Sequence, residues 1–353
     1  MHRLYIIPEA YNDMYRSELI DILKPFWGKG SKYDDLQRQA TYGISAEEVE
    51  FVGDVEDADY AVLPLSWNYY YEQNKKKKAL ECVRNAFQKG KTTISFTSGD
   101  FGIKIPSQEG LVVLRLSGNR SEHPDYHIGM PAFVTDPLPR HFNKSKIEIR
   151  EYSEKPSIGF CGQAKANTKQ ALTIFLHTLK NNLRRSYCNQ PLSSYTSRRS
   201  RALNVLESSS LVSTSFIKND QYRGGATTTE ERRKSARNFY QNINDSDYTL
   251  CLRGRGNFSV RLYETLAMGR IPIFVNTDCI LPFANIIKWR EHVLWLEEKM
   301  INLLPELVLE YHRKHTAASF RSQQLANRRL WENELSLGGF WRRLLSDQLP
   351  SMT

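Results

Sequence analysis

Tyr248-Thr-Leu-Cys-Leu252, Arg253-Gly-Arg-Gly-Asn-Phe258, Ser259-Val-Arg-Leu-Tyr-Glu-Thr-Leu-Ala-Met268 and Gly269-Arg-Ile-Pro-Ile-Phe-Val275 follow one another without a break. They read as a buried strand, a turn rich in glycine and arginine, a helix, and a second buried strand. In open α/β sheets ligands bind beyond the carboxyl ends of the strands, which is where this turn falls. Gly254 and Gly256 would let backbone N–H groups approach a diphosphate, and the helix that follows presents its positive end to the same place. Arg253, Arg255 and Arg261 supply guanidinium forks for phosphate oxygens. Glu264, one turn into the helix, is placed to accept the two hydroxyls of a ribose. The same residues also fit a plain connection with solvated arginines and an Arg261–Glu264 helix pair. The turn is not a Walker loop, since no Gly-Lys-Ser/Thr follows the glycines. Nor is it the dinucleotide fingerprint, whose third glycine is missing.

Working outward, the first half alternates apolar runs with helical patterns, the mark of a parallel sheet wound with helices. Leu4–Ile7, Tyr60–Leu63, Thr92–Phe96 and Leu111–Leu116 read as strands. Tyr15, Leu19, Ile22, Leu23 and Phe26 stand at helical spacing, and Lys75–Lys89 reads as a helix closed by Gly90. Periodicity lapses between Asp136 and Pro156, which predicts a domain boundary there. A second α/β unit opens with Ser157-Ile-Gly-Phe-Cys-Gly162. A helix with Leu172, Phe175, Leu176, Leu179 and Leu183 on one face follows, and Thr228 with Glu231 forms a capping box for another. The tail from about Lys299 is helical, interrupted at Pro305. The expected division is residues 1–150, 151–320, and a helical tail 321–353 packing back across both.

At 353 residues, 40% hydrophobic and 25% charged, the chain has the balance of a globular protein of two α/β domains. No apolar run nears the ~20 residues that span a bilayer, and Met1–Pro8 lacks an h-region of signal-peptide length, so a cytoplasmic location is expected. Cys82, Cys161, Cys188, Cys251 and Cys279 are scattered, with no C-x-x-C pair, which argues against a zinc site or a disulfide framework. The formal charge of +10 suits a nucleotide diphosphate, an acidic glycan, a nucleic acid or an anionic membrane, and also an ordinary solvated basic surface. Lys75–Lys78 opens a helix with apolar Leu80, Val83 and Phe87 and reads as its solvated end. No helix-turn-helix, zinc-finger or RNP-type pattern accompanies it, so a nucleic-acid partner is not expected.

The run Cys251–Ser259, then Arg261-Leu-Tyr-Glu264, Gly269-Arg-Ile-Pro-Ile-Phe274, Leu281-Pro-Phe283 and Trp289 resembles the exostosin-like glycosyltransferases of family 47. Ala58–Leu65 and Ser157–Gly162 are similar to two further strands of that family. The resemblance implies a GT-B architecture, two Rossmann-like domains facing a central cleft, with C-terminal helices. It implies an inverting transferase that moves sugar from a nucleotide donor, commonly a UDP-sugar, to a glycan or lipid-linked glycan in polysaccharide biosynthesis. The donor set it implies is Arg253, Gly254, Arg255, Gly256, Asn257, Ser259, Arg261 and Glu264, with Ser259 and Arg261 on the diphosphate and Glu264 on the ribose. No cofactor is implied beyond the nucleotide-sugar substrate.

Inverting transfer needs a base for the acceptor proton and support for the leaving diphosphate. Asp100, in Thr97-Ser-Gly-Asp-Phe-Gly102 after a strand, is the expected base. Its surroundings are similar to a His-Asp-aromatic-Gly stretch of plant relatives, with Gly99 in place of the His. A carboxylate capping a turn fits Asp100 equally. Glu9, Asp13 and His127 are the reserve candidates. Asp57-Ala-Asp59 and Asp245-Ser-Asp247 have the form of metal-binding D-x-D but stand at strand entries, so little or no metal requirement is expected. Arg223-Gly-Gly225 reads as a flexible loop. Trp67 with Tyr69, Tyr70 and Tyr71 fits a sugar-stacking platform or a loop folded on the core.

Competing readings are a Rossmann epimerase or dehydrogenase, which lacks its Gly-x-Gly-x-x-Gly and Tyr-x-x-x-Lys, and a non-catalytic basic module that binds glycan or another polyanion. The expected setting is a bacterial-type enzyme, peripheral at the inner membrane face, its basic surface drawn to anionic lipid.

Overall fold

A computed structural model describes residues 1–28, 34–164, 168–183, 187–188, 195–219 and 225–347. Arg223 and Gly224 lie outside the described residues, while Gly225 is exposed with φ +75°. In the first unit the elements run β1 (His2–Ile6), α1 (Asp35–Tyr42), β2 (Val49–Val52), β3 (Tyr60–Val62), α2 (Trp67–Glu72), α3 (Lys76–Gln88), β4 (Thr93–Thr97), β5 (Leu111–Arg115) and β6 (His127–Gly129). In the second they run β7 (Ser157–Gln163), α4 (Thr168–Asn182), α5 (Tyr195–Glu207), β8 (Ser213–Asn219), α6 (Thr229–Asn244), β9 (Tyr248–Cys251), α7 (Val260–Ala267), β10 (Ile271–Asn276), α8 (Trp289–His292) and β11 (Leu294–Glu297). Three more helices close the chain: α9 (Leu304–Arg313), α10 (Ala317–Leu330) and α11 (Leu337–Asp347).

Every named strand pairing is parallel. The first sheet has the order β2-β1-β3-β4-β5-β6 and the second β8-β7-β9-β10-β11. Numbered within its own sheet, the first runs 2-1-3-4-5-6 and the second 2-1-3-4-5, so both are doubly wound in the same sense. The winding reverses between β1 and β3 in the first sheet and between β7 and β9 in the second, and such reversals open crevices at the strands' carboxyl ends. The two sheets, flanked by helices and tied together by the last helices, make the GT-B architecture.

Central strands are the apolar ones. β4 and β5 are buried at all five positions and β9 at all four, because a parallel strand covered on both faces has no solvent side. The edge strand β8, Ser-Thr-Ser-Phe-Ile-Lys-Asn, is mostly exposed and carries the polar composition of a protected edge. One expectation fails here. Tyr15 through Phe26 is not an α-helix but a pair of short 3-10 turns, Asp13–Glu18 and Asp21–Leu23, with Leu19 and Ile20 extended between them. Leu19 bridges Leu65 and the Ile20 N–H donates to Pro64 O, so the end of β3 recruits the backbone that a helix would have used.

The carboxyl-terminal helices lie across both units. In α10, Gln324 bonds Arg150 in both directions, Asn327 donates to Arg270 O and His292 O, and Arg328 forms a two-pronged pair with Asp136 at 3.0 and 2.6 Å. In α11, Phe340 packs on Phe133 of the first unit and Phe283 of the second, and Arg342 reaches Glu48. One apolar cluster therefore runs from Leu4 through Leu262 and Phe283 to Trp341.

Inside the first unit, Arg115 is fully buried and donates its Nε–H to His127 Nδ1 at 2.8 Å. That bond fixes His127 as a neutral acceptor. Burial, then the Arg115 charge, push His123 down to about 3 and His127 to about 2. Both are neutral when folded but bind protons when unfolded below pH ~6.5, so stability is complete above that value and falls as pH drops toward 3. Urea unfolding between pH 7 and pH 4.5 is expected to lose up to ~1.4 kcal/mol per pH unit for each imidazole. A His123→Gln/His127→Gln variant should flatten that slope. An unchanged slope would show that the two rings do not govern acid stability.

Candidate functional site

The turn after β9 is built into the reversal of the second sheet and against the first unit at once. Gly254 N–H closes the turn on Phe258 O at 3.2 Å, and space around Gly254 is open. Gly256 is not open. A Cβ there would stand 2.4 Å from the Phe258 ring and 2.7 Å from Asp100 O. Its glycine serves the close approach of the first unit's Asp100 loop. Asn257 belongs to the same contact. It is fully buried, donates its backbone N–H to Ser117 Oγ and its amide N–H groups to Gly118 O, Asn119 Oδ1 and Thr277 O, and its Oδ1 accepts from Thr277 Oγ1. Its hydrogen-bonding capacity is spent on joining the two units.

The three arginines part company. Arg255 is exposed and lies over the Phe101 ring of the first unit at 5.0 Å. Arg253 is buried, donates to Arg255 O, and is pushed down to about 10 by burial and then by Arg198, against the pull of Cys279, Glu298 and Asp100. Arg261 crosses to the end of β7. It donates to Cys161 O at 2.8 Å and stacks on Phe160 at 4.3 Å, and burial pushes its pKa down. This reach depends on Gly162, where φ is +155° and a Cβ would meet the Arg261 guanidinium at 2.8 Å. Ser259 precedes α7 without a side-chain capping bond. Glu264, one turn on, is half-buried, acts electrostatically on Arg261, and takes a 3.5 Å contact from Tyr240 OH.

The sequence reading missed Arg199. On α5 it is 9% exposed, donates to Gln163 O at 2.7 Å, and lies over the same Phe160 ring at 5.7 Å. Its pKa is pushed down to about 10, by burial first and the Arg261 charge second. Arg199 Nε and Arg261 Nε are buried without a hydrogen-bond partner. Two like charges therefore share the carboxyl end of β7, each short of an acceptor, beside the amino terminus of α7. A buried guanidinium N–H left unbonded costs roughly 1–3 kcal/mol. The signal in the sequence was the absence of any Asp or Glu from Lys155 to Leu206, not a motif.

On the facing side, Asp100 is half-buried, its carbonyl accepts from Ser117 Oγ at 2.7 Å, and its charge acts on Arg253. A second carboxylate stands at the same end of this sheet. Glu18 Oε2 accepts from Ser66 Oγ at 2.5 Å and Ser98 Oγ at 2.8 Å, and Ser98 is two residues from Asp100. The reserve candidates lie elsewhere. Glu9 is exposed, Asp13 pairs with Arg16, and His127 is buried as an acceptor for Arg115. Asp59 bonds the Arg3 backbone, and Asp247 is 1% exposed and bonded to Ser157, both at strand entries. Trp67, Tyr69 and Tyr70 are core residues, with Trp67 Nε1 on Ser95 Oγ and Tyr70 OH on Ala10 O.

Residues 44–310 match the family model for the exostosin GT47 domain. The chain belongs to the exostosin GT47 family. Exostosin-1 of Drosophila melanogaster is 29% identical over 104 residues, which is 29% of this chain and 13% of that protein. The probable β-1,4-xylosyltransferase IRX10 of Arabidopsis thaliana is 32% identical over 87 residues, 25% of this chain and 20% of the relative. A probable glucuronosyltransferase of Oryza sativa subsp. japonica is 33% identical over 70 residues, 20% of this chain and 17% of the relative. The matches thus span under a quarter of these relatives' length. Among solved structures, a glycosyltransferase from Rickettsia africae aligns over 99% of this chain and 98% of that one, at 12% identity and a TM-score of 0.37.

In this exostosin GT47 chain, Arg199→Met keeps the stacking bulk and removes a buried charge. The unliganded protein is expected to unfold no earlier than wild type in urea, while its affinity for inorganic pyrophosphate falls about tenfold or more. A stability loss beyond ~2 kcal/mol would instead make Arg199 a structural clamp on Gln163.

Proposed function

We propose that this chain is a glycosyltransferase that moves a sugar from a nucleoside diphosphate donor, a UDP-sugar, to a hydroxyl of a glycan with inversion at the anomeric carbon. The observation that carries the reading is the pair of buried Arg199 and half-buried Arg261 at the reversal of the second sheet, each with a buried Nε that has no hydrogen-bond partner. Family membership and the names of the glucuronosyl- and xylosyltransferase relatives support the same reaction class.

The diphosphate would lie between Arg199, Arg261 and the amino terminus of α7, with Arg253 at its border and Glu264 toward the ribose. The acceptor oxygen attacks the anomeric carbon from the face opposite the diphosphate. The bond from that carbon to the phosphate oxygen breaks, and its electron pair passes to the phosphate, where the guanidinium charges stabilise it. The acceptor proton goes to a carboxylate of the first unit, Asp100 by its place opposite Arg253, with Glu18 as the neighbouring candidate. Because the arginines carry the leaving-group charge, chelation with EDTA is expected to leave most of the activity.

Calorimetric titration with UDP, GDP, ADP, CMP and NAD tests the donor site, and Arg261→Ala or Glu264→Ala should weaken UDP binding about tenfold each. Asp100→Asn should cut turnover by ~10²-fold or more while UDP affinity stays within about twofold. Near-normal turnover in that variant, with loss in Glu18→Gln, would transfer the role to Glu18. A chain that binds heparin but no nucleotide would be a polyanion-binding module.

A further inference from the structure

Nine of the chain's 49 Lys and Arg residues and none of its 39 Asp and Glu lie between Lys155 and Leu206. That stretch carries +9 of the formal +10, and the remainder of the chain is close to neutral. Within it lies α4. Leu172, Phe175, Leu176 and Leu179 on this helix are 60, 38, 56 and 40% exposed, and Leu183 in the turn that continues it is 76% exposed. Leu183 N–H still donates to Leu179 O at 3.0 Å, so the helical path extends through it. At ~100° per residue these five side chains occupy an arc of roughly 100°. The sequence pattern marks this arc as a core-facing stripe. The structure turns it to solvent instead, while Thr178 on the other side of α4 is buried.

Five large apolar side chains on one exposed arc form a patch that folded monomers seldom leave uncovered. Its chemical surroundings select the occupant. Lys165, Lys169, Lys180, Arg184 and Arg185 surround the stripe in sequence, with no acidic residue among them. A second copy of the helix would set cations against cations with no carboxylate to pair them. A nucleic acid would use the charge but not the leucines. A bilayer surface with anionic headgroups uses both, apolar side chains entering the acyl boundary while lysine and arginine remain at headgroup level.

We propose that α4 is an interfacial helix by which this chain docks on an anionic lipid surface. No helix of the described residues is long and apolar enough to cross a membrane. α4 begins five residues after Gln163, whose carbonyl holds Arg199, so docking would bring the carboxyl edge of the second sheet to the lipid surface. The docking does not depend on the transferase reading.

The test is flotation of the full chain with phosphatidylcholine vesicles, with and without phosphatidylglycerol. Wild type should partition onto the phosphatidylglycerol vesicles, lose that partition as salt rises from about 0.1 M to about 0.5 M, and bind poorly to phosphatidylcholine alone. Leu176→Glu/Leu179→Glu should reduce the partition at least about tenfold. Circular dichroism and UDP titration on the same preparations separate loss of the docking face from loss of fold and from failure of the donor site. No partition of wild type, or partition that survives the double substitution, would overturn the proposal. So would a wild-type dimer that the substitutions dissociate without any effect on vesicles.

Discussion

Asn257 sits fully buried between the two sheets, and its backbone and side chain bond Ser117, Gly118, Asn119 and Thr277. A buried amide that lost one of these partners would carry the full cost of an unmade hydrogen bond, so the two units have little freedom to slide at this point. The rest of the site takes its geometry from that junction. It sets the turn after β9 against the loop after β4, which is why Asp100 O presses on Gly256 and why the Asp100 charge is felt by Arg253. The bridge of Asn119 to Cys279 and the bonds from Ser121 to Asp278 extend the same contact to the turn after β10.

Around this junction the protein places positive charge where it is costly. Arg253, Arg199 and Arg261 are all lowered in pKa by burial, and Arg199 is lowered further by Arg261. Arg328 is given the carboxylates of Asp136 and Glu332, whereas the fully buried Arg115 and Arg270 are held by neutral acceptors. Arg199 has the Gln163 carbonyl and the Phe160 and Tyr195 rings, and Arg261 has the Cys161 carbonyl, the Phe160 and Phe239 rings and the nearby charge of Glu264.

The apolar side chains of α4 make the same point about surfaces. Leu262 and Leu266 of α7 stand at helical spacing and are buried, whereas Leu172, Leu176 and Leu179 of α4 stand at similar spacing and face solvent. Periodicity predicts that a helix has an apolar face, but not what covers it. Here the accumulation of +9 in one stretch is the feature that distinguishes the two helices.

By itself the sequence determined the doubly wound α/β character, the central strands and the ordered segment from Tyr248 to Val275, because strands buried on both faces must be continuously apolar. The edges were not legible. β8 is largely polar and β6 has three residues, since an edge strand answers to solvent more than to the core. The sequence also supplied Arg261 and Glu264 as a spaced pair, and the opposed loop that carries Asp100. Only the tertiary structure set Asn257 and Gly256 in the junction between the two units. It also brought Arg199, more than sixty residues from Arg261, to the same aromatic ring, and placed Glu18 beside Ser66 and Ser98. These depend on which strand ends the folded chain brings together, a property of long-range packing that local spacing does not encode.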